Sequence, residues 1–186
     1  MHQFLLPDTY DGESSFRLTG KDYHYICNVL RLNSGAVFKG MDKKSRIYSV
    51  RIKDVQKDCC MLELSCNTVE RGYSCPYEIS LFQCLPKGQK MDLIVRQATE
   101  AGVSRIIPVL SEHSVIRLKT GQDKSNKQCR WERIAREAVQ QSESPVCPQV
   151  FSPVGFNEVG KYIEGESVKI FFHQERLDNI SLHGCL

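Results

Sequence analysis

Ile79-Ser80-Leu81-Phe82-Gln83-Cys84-Leu85, broken by Pro86-Lys87-Gly88 and followed after one helix-length interval by Arg105-Ile106-Ile107-Pro108-Val109-Leu110, is the stretch that decides the fold. The first segment is mostly apolar without alternation, as a strand covered on both faces should be. Pro86 and Gly88 then stop it. Between the two strands Met91, Ile94, Val95, Ala98 and Ala101 fall at i, i+3, i+4, i+7 and i+10, which predicts a helix. Asp92, Arg96, Thr99 and Glu100 are expected on its wetter side, and Gly102 stands where a C-cap belongs. Farther on, past a polar loop, Trp131, Ile134, Ala135 and Ala138 repeat the helical spacing, with Glu132/Arg136 and Arg133/Glu137 as i,i+4 pairs and Pro145 as the stop. Val168-Lys169-Ile170-Phe171-Phe172 is expected as a third strand. Strand, helix, strand, helix, strand is the grammar of an α/β parallel sheet with crossover helices.

Upstream the texture differs. Thr19-Gly20-Lys21-Asp22 reads as a capping box with Asp in the acidic position, and Tyr23, Ile26 and Leu30 follow at helical spacing, predicting a short helix from about Asp22 to Arg31. Asn33-Ser34-Gly35 ends it. Ala36-Val37-Phe38, a polar turn through Asp42-Lys43-Lys44-Ser45, and Arg46 to Lys53 form a hairpin pattern in which Tyr48, Val50 and Ile52 share one face. Cys60 to Leu64 adds another strand, and the run of short strands predicts a small β-barrel. Gly72 and Pro76 close a polar stretch that begins at Asn67. Length alone allows one domain or two. The change of texture argues for two, a β-barrel over residues 1–73 and an α/β domain over 74–186.

The 186 residues carry 25 Lys plus Arg against 22 Asp plus Glu, with 41% hydrophobic and 25% charged residues, which excludes disordered, collagen-like and membrane-spanning classes. Met1 to Pro7 lacks the basic n-region and long apolar run of a signal peptide. Nine cysteines without a CxxC fit neither a zinc site nor a disulfide framework and point to a reducing, cytoplasmic setting. All 11 basic residues of the middle of the chain lie between Lys87 and Arg136, against five acids, so this stretch is either a solvated face or one that meets a polyanion.

Candidate catalytic groups are few. The five His residues show no metal-ligand spacing, and GxSxG, GxGxxG and GxxxxGKS are all missing, so hydrolase, dehydrogenase and P-loop chemistry find no support. A small α/β hydrolase would need an activated nucleophile, and none is found. His113 lies just past the second parallel strand, at the carboxyl end where open α/β sheets bind ligands. Glu100, near the end of its helix, is either a general base or a solvated acid.

Longer strings carry a resemblance. Leu85 to Ile94 (LPKGQKMDLI), Ala98 to Val109 (ATEAGVSRIIPV) and Glu112-His113-Ser114-Val115 are similar to the RsmE family of bacterial RNA methyltransferases. Leu18-Thr19-Gly20, His24 and Val29-Leu30-Arg31 upstream match it too, as do Arg130 to Ile134, Glu137-Ala138 and Gln141-Ser142 downstream. The match runs to about Pro148. This resemblance implies an N-terminal PUA-like β-barrel that helps hold RNA, then a SPOUT methyltransferase domain with a trefoil knot that binds S-adenosylmethionine and makes a homodimer. The implied reaction is methylation of N3 of a uridine in 16S ribosomal RNA of the small subunit, which calls for positioning, loss of the N3 proton and neutralisation of phosphate charge.

The chain departs from the family in three places. His113 stands where an Arg is common, and Glu143-Ser144 replace a glycine and an arginine. The cofactor loop Gly-Pro-Glu-Gly-Gly and the terminal Leu-Arg-x-Glu-Thr-Ala segment are expected after a strand such as Val168 to Phe172, and neither occurs. On that reading the chain is truncated at its C-terminus, the SPOUT domain is incomplete without its knot, and the chain alone is inactive; the alternative is a noncatalytic RNA-binding remnant. Candidate RNA-binding residues are His24 and Arg31, seven apart and so expected on one helix face, Lys43, Lys44 and Arg46 in the turn, Lys87 and Lys90 at the α/β domain's first loop, and His113. Phe172, His173 and Gln174 are the candidate cofactor-binding residues at the end of the expected third strand.

Overall fold

A computed structural model describes residues 3–66, 77–112, 120–163, 165 and 167–172. Among them two sheets form. The first has the order β1-β3-β4-β5-β2, built from β1 (Phe4–Leu5), β2 (Ser15–Thr19), β3 (Val37–Met41), β4 (Ile47–Val55) and β5 (Cys59–Cys66). β1 runs parallel to β3, and the other neighbours are antiparallel. The expected barrel is a curled sheet, with β1 and β2 as its edges.

Alternation in β4 turns Tyr48, Val50 and Ile52 inward, where all five strands share one core with Phe4, Leu18, Phe38, Cys60, Leu62 and Leu64. Ile26 from the helical segment completes it. At Gly40 the strands approach so closely that a Cβ would stand 2.6 Å from Val50 Cγ2. Only glycine fits there.

The predicted helix at Asp22–Arg31 lies two residues earlier and changes type, with α1 (Gly20–Tyr23) continuing into a π-helical turn (His24–Val29). The expected capping box does not form, because Thr19 is held in β2 opposite Cys59 and the chain enters the helix through Gly20 at φ +62°. At the other end Leu32 N donates to Ile26 O at 3.1 Å across Arg31, whose φ is +55°, a Schellman-like close.

The second sheet is parallel, with β6 (Ser80–Cys84), β7 (Arg105–Leu110), then β8 (Gln149–Val150) and β9 (Val154–Gly155), both of which pair with β7. The strand–helix–strand–helix–strand order is as expected, but its third strand is this interrupted one. Val168 to Phe172 forms no strand and is exposed, because β7 already has β6 on one side and β8 with β9 on the other.

α2 (Lys90–Glu100) and α3 (Gly121–Ser142) cover one face of this sheet through Met91, Val95, Ala98, Trp131, Ile134 and Ala135. Val109, Val154 and Ile107 build the core of the other face. Thr99 is fully buried rather than wet, its hydroxyl donating to Val95 O at 2.7 Å, so the inward stripe of α2 is Met91, Val95, Ala98 and Thr99. α3 starts ten residues before the periodic stretch, at a capping box in which Asp123 N donates to Thr120 Oγ1 and Thr120 N to Asp123 Oδ2, both at 3.1 Å. Glu143, in left-handed conformation, ends it two residues before Pro145.

The sheets meet through Leu5, Met41 and Ile47 of the first and Val139 of α3, with Cys147 against them. Gln3 Nε2 donates to Ser144 O at 3.2 Å across the same joint.

Candidate RNA-binding surface

The β3–β4 turn brings three of the candidate cations together. Asp42, 4% exposed, organises it. Its Oδ1 accepts the backbone N–H groups of Lys44 and Arg46, each at 2.9 Å. Its Oδ2 takes Arg46 Nε at 2.7 Å, Arg46 Nη2 at 2.6 Å and the Tyr48 hydroxyl at 3.3 Å. The backbone closes as well, with Ser45 N donating to Asp42 O at 3.0 Å and Ser45 itself at φ +57°. Burial by itself pushes the Asp42 carboxyl up, but the donors from Arg46 and Lys44 outweigh it and hold the group below its ordinary value. Tyr48 moves the other way, raised by burial and then by the Asp42 charge.

Arg46 is thus a fastened cation. Its guanidinium lies 5.8 Å from the centre of the Tyr48 ring, while its side chain stays 47% exposed. Lys43 Nζ reaches Asp8 O at 3.4 Å, and Lys43 and Lys44 are both exposed. Asp42 is the residue that a search for cations passes over. Its signal was an acid leading a Lys-Lys-Ser turn, since an Asp side chain bonds the backbone two residues on.

His24 and Arg31 do not share a helix face. Both are exposed, but the i→i+5 bonding of the π-helical turn (Leu30 N to Tyr25 O, 2.9 Å) widens the spiral, and Arg31 lies beyond its end. Lys87 and Lys90 stand together at the β6–α2 connection, Lys90 as the first residue of α2. A cation there adds to the positive end of the helix dipole, so an anion is the ligand this end favours. Within the same turn Asp92 is spoken for, since Arg130 Nη2 and Trp131 Nε1 donate to it at 2.6 and 3.1 Å. Glu100 is exposed on α2.

His113, His173 and Gln174 lie outside the described residues. Phe172 is described, and it is 85% exposed on a segment outside both sheets. Such a ring does not by itself make a cradle for a nucleoside cofactor. Among the described residues no group of three His, Cys, Asp or Glu could hold a metal ion, and no helix is long and apolar enough to cross a membrane.

The chain is thus a two-part α/β protein, a curled and mostly antiparallel sheet bearing a basic turn joined to a parallel sheet with crossover helices. Residues 73–185 match the family described as RNA methyltransferase domain, and residues 18–61 match the RNA methyltransferase PUA domain. The chain belongs to this RNA methyltransferase family. It is 30% identical over 174 residues to the ribosomal RNA small subunit methyltransferase E of Synechocystis, covering 94% of this chain and 55% of the relative. The protein of the same name from Bacillus subtilis is 29% identical over 148 residues, covering 78% and 56%. Among solved structures, the ribosomal RNA small subunit methyltransferase E of Neisseria gonorrhoeae, bound to S-adenosyl methionine, shares 26% identity at a TM-score of 0.77, covering 91% of this chain and 69% of that one. The chain spans a little over half the length of the two curated relatives.

Proposed function

We propose that this protein works in S-adenosylmethionine-dependent methylation of small-subunit ribosomal RNA, with N3 of a uridine in 16S RNA as the methyl acceptor. The observation that carries this reading is the likeness over 91% of the chain to a methyltransferase solved with S-adenosyl methionine. The division of labour follows the two sheets. Residues 1–73 hold RNA, and residues 74–186 contribute to the methyltransferase domain, through which two copies pair in the cytoplasm.

The RNA contacts of this reading are Lys43, Lys44 and Arg46 in the turn, His24 and Arg31 beside the helical segment, Lys87 and Lys90 ahead of α2, and His113. Cations in these places neutralise phosphates and set the register of the strand without reading its sequence. When bound, S-adenosylmethionine supplies an electrophilic methyl group on a sulfonium. Phe172, His173 and Gln174 are the residues proposed to lie beside it. Phe172 alone among them is described, and its exposed ring by itself makes no cradle.

The test offers purified chain, 16S transcript or small subunits, and methyl-labelled S-adenosylmethionine, alongside calorimetric titration with the cofactor. Binding of S-adenosylmethionine is the expected result; the chain alone is expected to be inactive, so labelled 3-methyluridine in the digested RNA would show that it holds a complete catalytic site. RNA binding that proceeds with a steep salt dependence while the cofactor is ignored would overturn the methyltransferase reading in favour of an RNA-binding remnant.

A further inference from the structure

Arg46 is counted above among the cations that meet RNA, yet both its Nε and its Nη2 already donate to Asp42 Oδ2, at 2.7 and 2.6 Å. That arrangement leaves Nη1 and one hydrogen of Nη2 without a partner among the described residues, on an edge whose side chain is 47% exposed. The plane of the fork is fixed from several sides. Asp42 holds it from below, the Tyr48 ring centre is 5.8 Å away, and a Cβ on Gly12 would stand 3.6 Å from Nη2. Gly12 itself adopts φ +105°. An arginine held this way loses little rotamer freedom when a phosphate arrives, whereas Lys44 on the same turn is exposed on a flexible stem and Lys43 is tied by its Nζ to Asp8 O at 3.4 Å.

We propose that Asp42 is a positioning residue for RNA binding, which fixes Arg46 so that its exposed edge meets one backbone phosphate. The inference rests on the RNA-binding reading above. Asp42 touches no RNA itself. The two Asp42 oxygens divide the work, Oδ1 holding the turn's backbone through Lys44 N and Arg46 N, and Oδ2 holding the guanidinium and the Tyr48 hydroxyl.

That division supplies the test. In Asp42→Asn the amide oxygen can keep the backbone bonds, while the amide nitrogen now faces the guanidinium and cannot accept from it. Binding of a 16S transcript is measured against salt for wild type, Asp42→Asn, Arg46→Ala and the double variant. Asp42→Asn and Arg46→Ala should each weaken binding by about tenfold and lower the salt slope by about one, and the double variant should be no worse than Arg46→Ala. Arg46→Lys, which keeps the charge and lacks the fork, should also bind several-fold more weakly, and it serves where Asp42→Asn fails to fold.

Unchanged affinity and slope in folded Asp42→Asn, losses that add in the double variant, or Arg46→Lys binding as wild type would each overturn the inference. A wild-type chain that does not bind the transcript at all would overturn the RNA-binding reading beneath it, an outcome distinct from these three.

Discussion

Asp92, in the first turn of α2, accepts the indole N–H of Trp131 from α3 at 3.1 Å, and with it the guanidinium of Arg130 at 2.6 Å. Trp131 is 2% exposed, so its indole is almost wholly withdrawn from water and depends on Asp92 for its bond. One carboxylate therefore pins the two helices that cover the parallel sheet.

Asp92→Ala should lower stability by about 1–3 kcal/mol, because it leaves a buried donor unpaired. Asp92→Asn should cost clearly less, since an amide oxygen still accepts from the indole, and the Arg130 pair, 46% exposed on the arginine side, is worth little. Urea unfolding followed by the fluorescence of Trp131, the single tryptophan, measures both.

Gly40→Ala should destabilise by about 1–3 kcal/mol, as overpacked cores do. The obstacle is Val50 Cγ2, 2.6 Å from the added Cβ, on a fully buried β-branched side chain with one comfortable rotamer. Gly121 makes the contrast. It opens α3 with nothing within 4 Å of its Cβ position, so Gly121→Ala should be neutral or slightly stabilising in the same melts.

These cases show what the chain discloses before it folds. Periodicity placed α2, the centre of α3 and the strand around Tyr48, because each buries a stripe that repeats at 3.6 or 2 residues, while the strand around Val109 was legible as a continuous apolar run buried on both faces. It misplaced the third parallel strand, since Val168 to Phe172 is more apolar than Gln149 to Gly155 but finds no free edge of β7, a fact of pairing rather than of composition. Two Thr-x-x-Asp strings illustrate the same limit. The one at Thr120 caps a helix through both of its bonds, and the one at Thr19 makes none, because β2 holds Thr19 against Cys59. At the candidate surface the cations were legible as residues, but the carboxylate that orders the β3–β4 turn showed only as an acid leading a Lys-Lys-Ser turn, since its bonds to the Arg46 and Tyr48 side chains depend on their folding back over it.

Acid should expose the Asp42 contribution. Its carboxyl is held below the ordinary value of 3.8, so the stabilisation is fully present above that pH and is lost as pH falls through the folded-state value. Wild type and Asp42→Asn should therefore differ in stability at neutral pH and converge as the acid limb is descended. A difference that stays constant to the bottom of the acid titration would contradict this.

Thiol chemistry should sort the cysteines. Cys66, Cys84 and Cys129 are exposed and should react with a disulfide reagent in the native protein. Burial, and then the neighbouring Cys27, push the Cys60 thiol up to about 12. Cys60 should resist labelling until the sheet unfolds, which mass spectrometry of digested, pulse-labelled protein will show. Native labelling of Cys60 at the rate of Cys129 would be evidence against the shared core that encloses it.

The joint between the sheets is small enough for one side chain to decide it. Val139 is fully buried among Leu5, Met41 and Ile47, and the neighbouring polar links are the Gln3 bond to Ser144 O and an ion pair at 3.9 Å between Lys39 and Glu143. The ion pair is long and partly exposed, and it contributes little. A carboxylate at position 139 would be buried without a partner, so Val139→Asp should break the joint rather than merely weaken it. Trp131 reports only on the α/β half, while the aromatic packing of Tyr10 against Phe16 and Tyr48 reports on the other. In wild type the two signals should melt together. In Val139→Asp they should separate into two transitions, and coincident melting in that variant would mean that the halves are coupled through contacts other than this cluster.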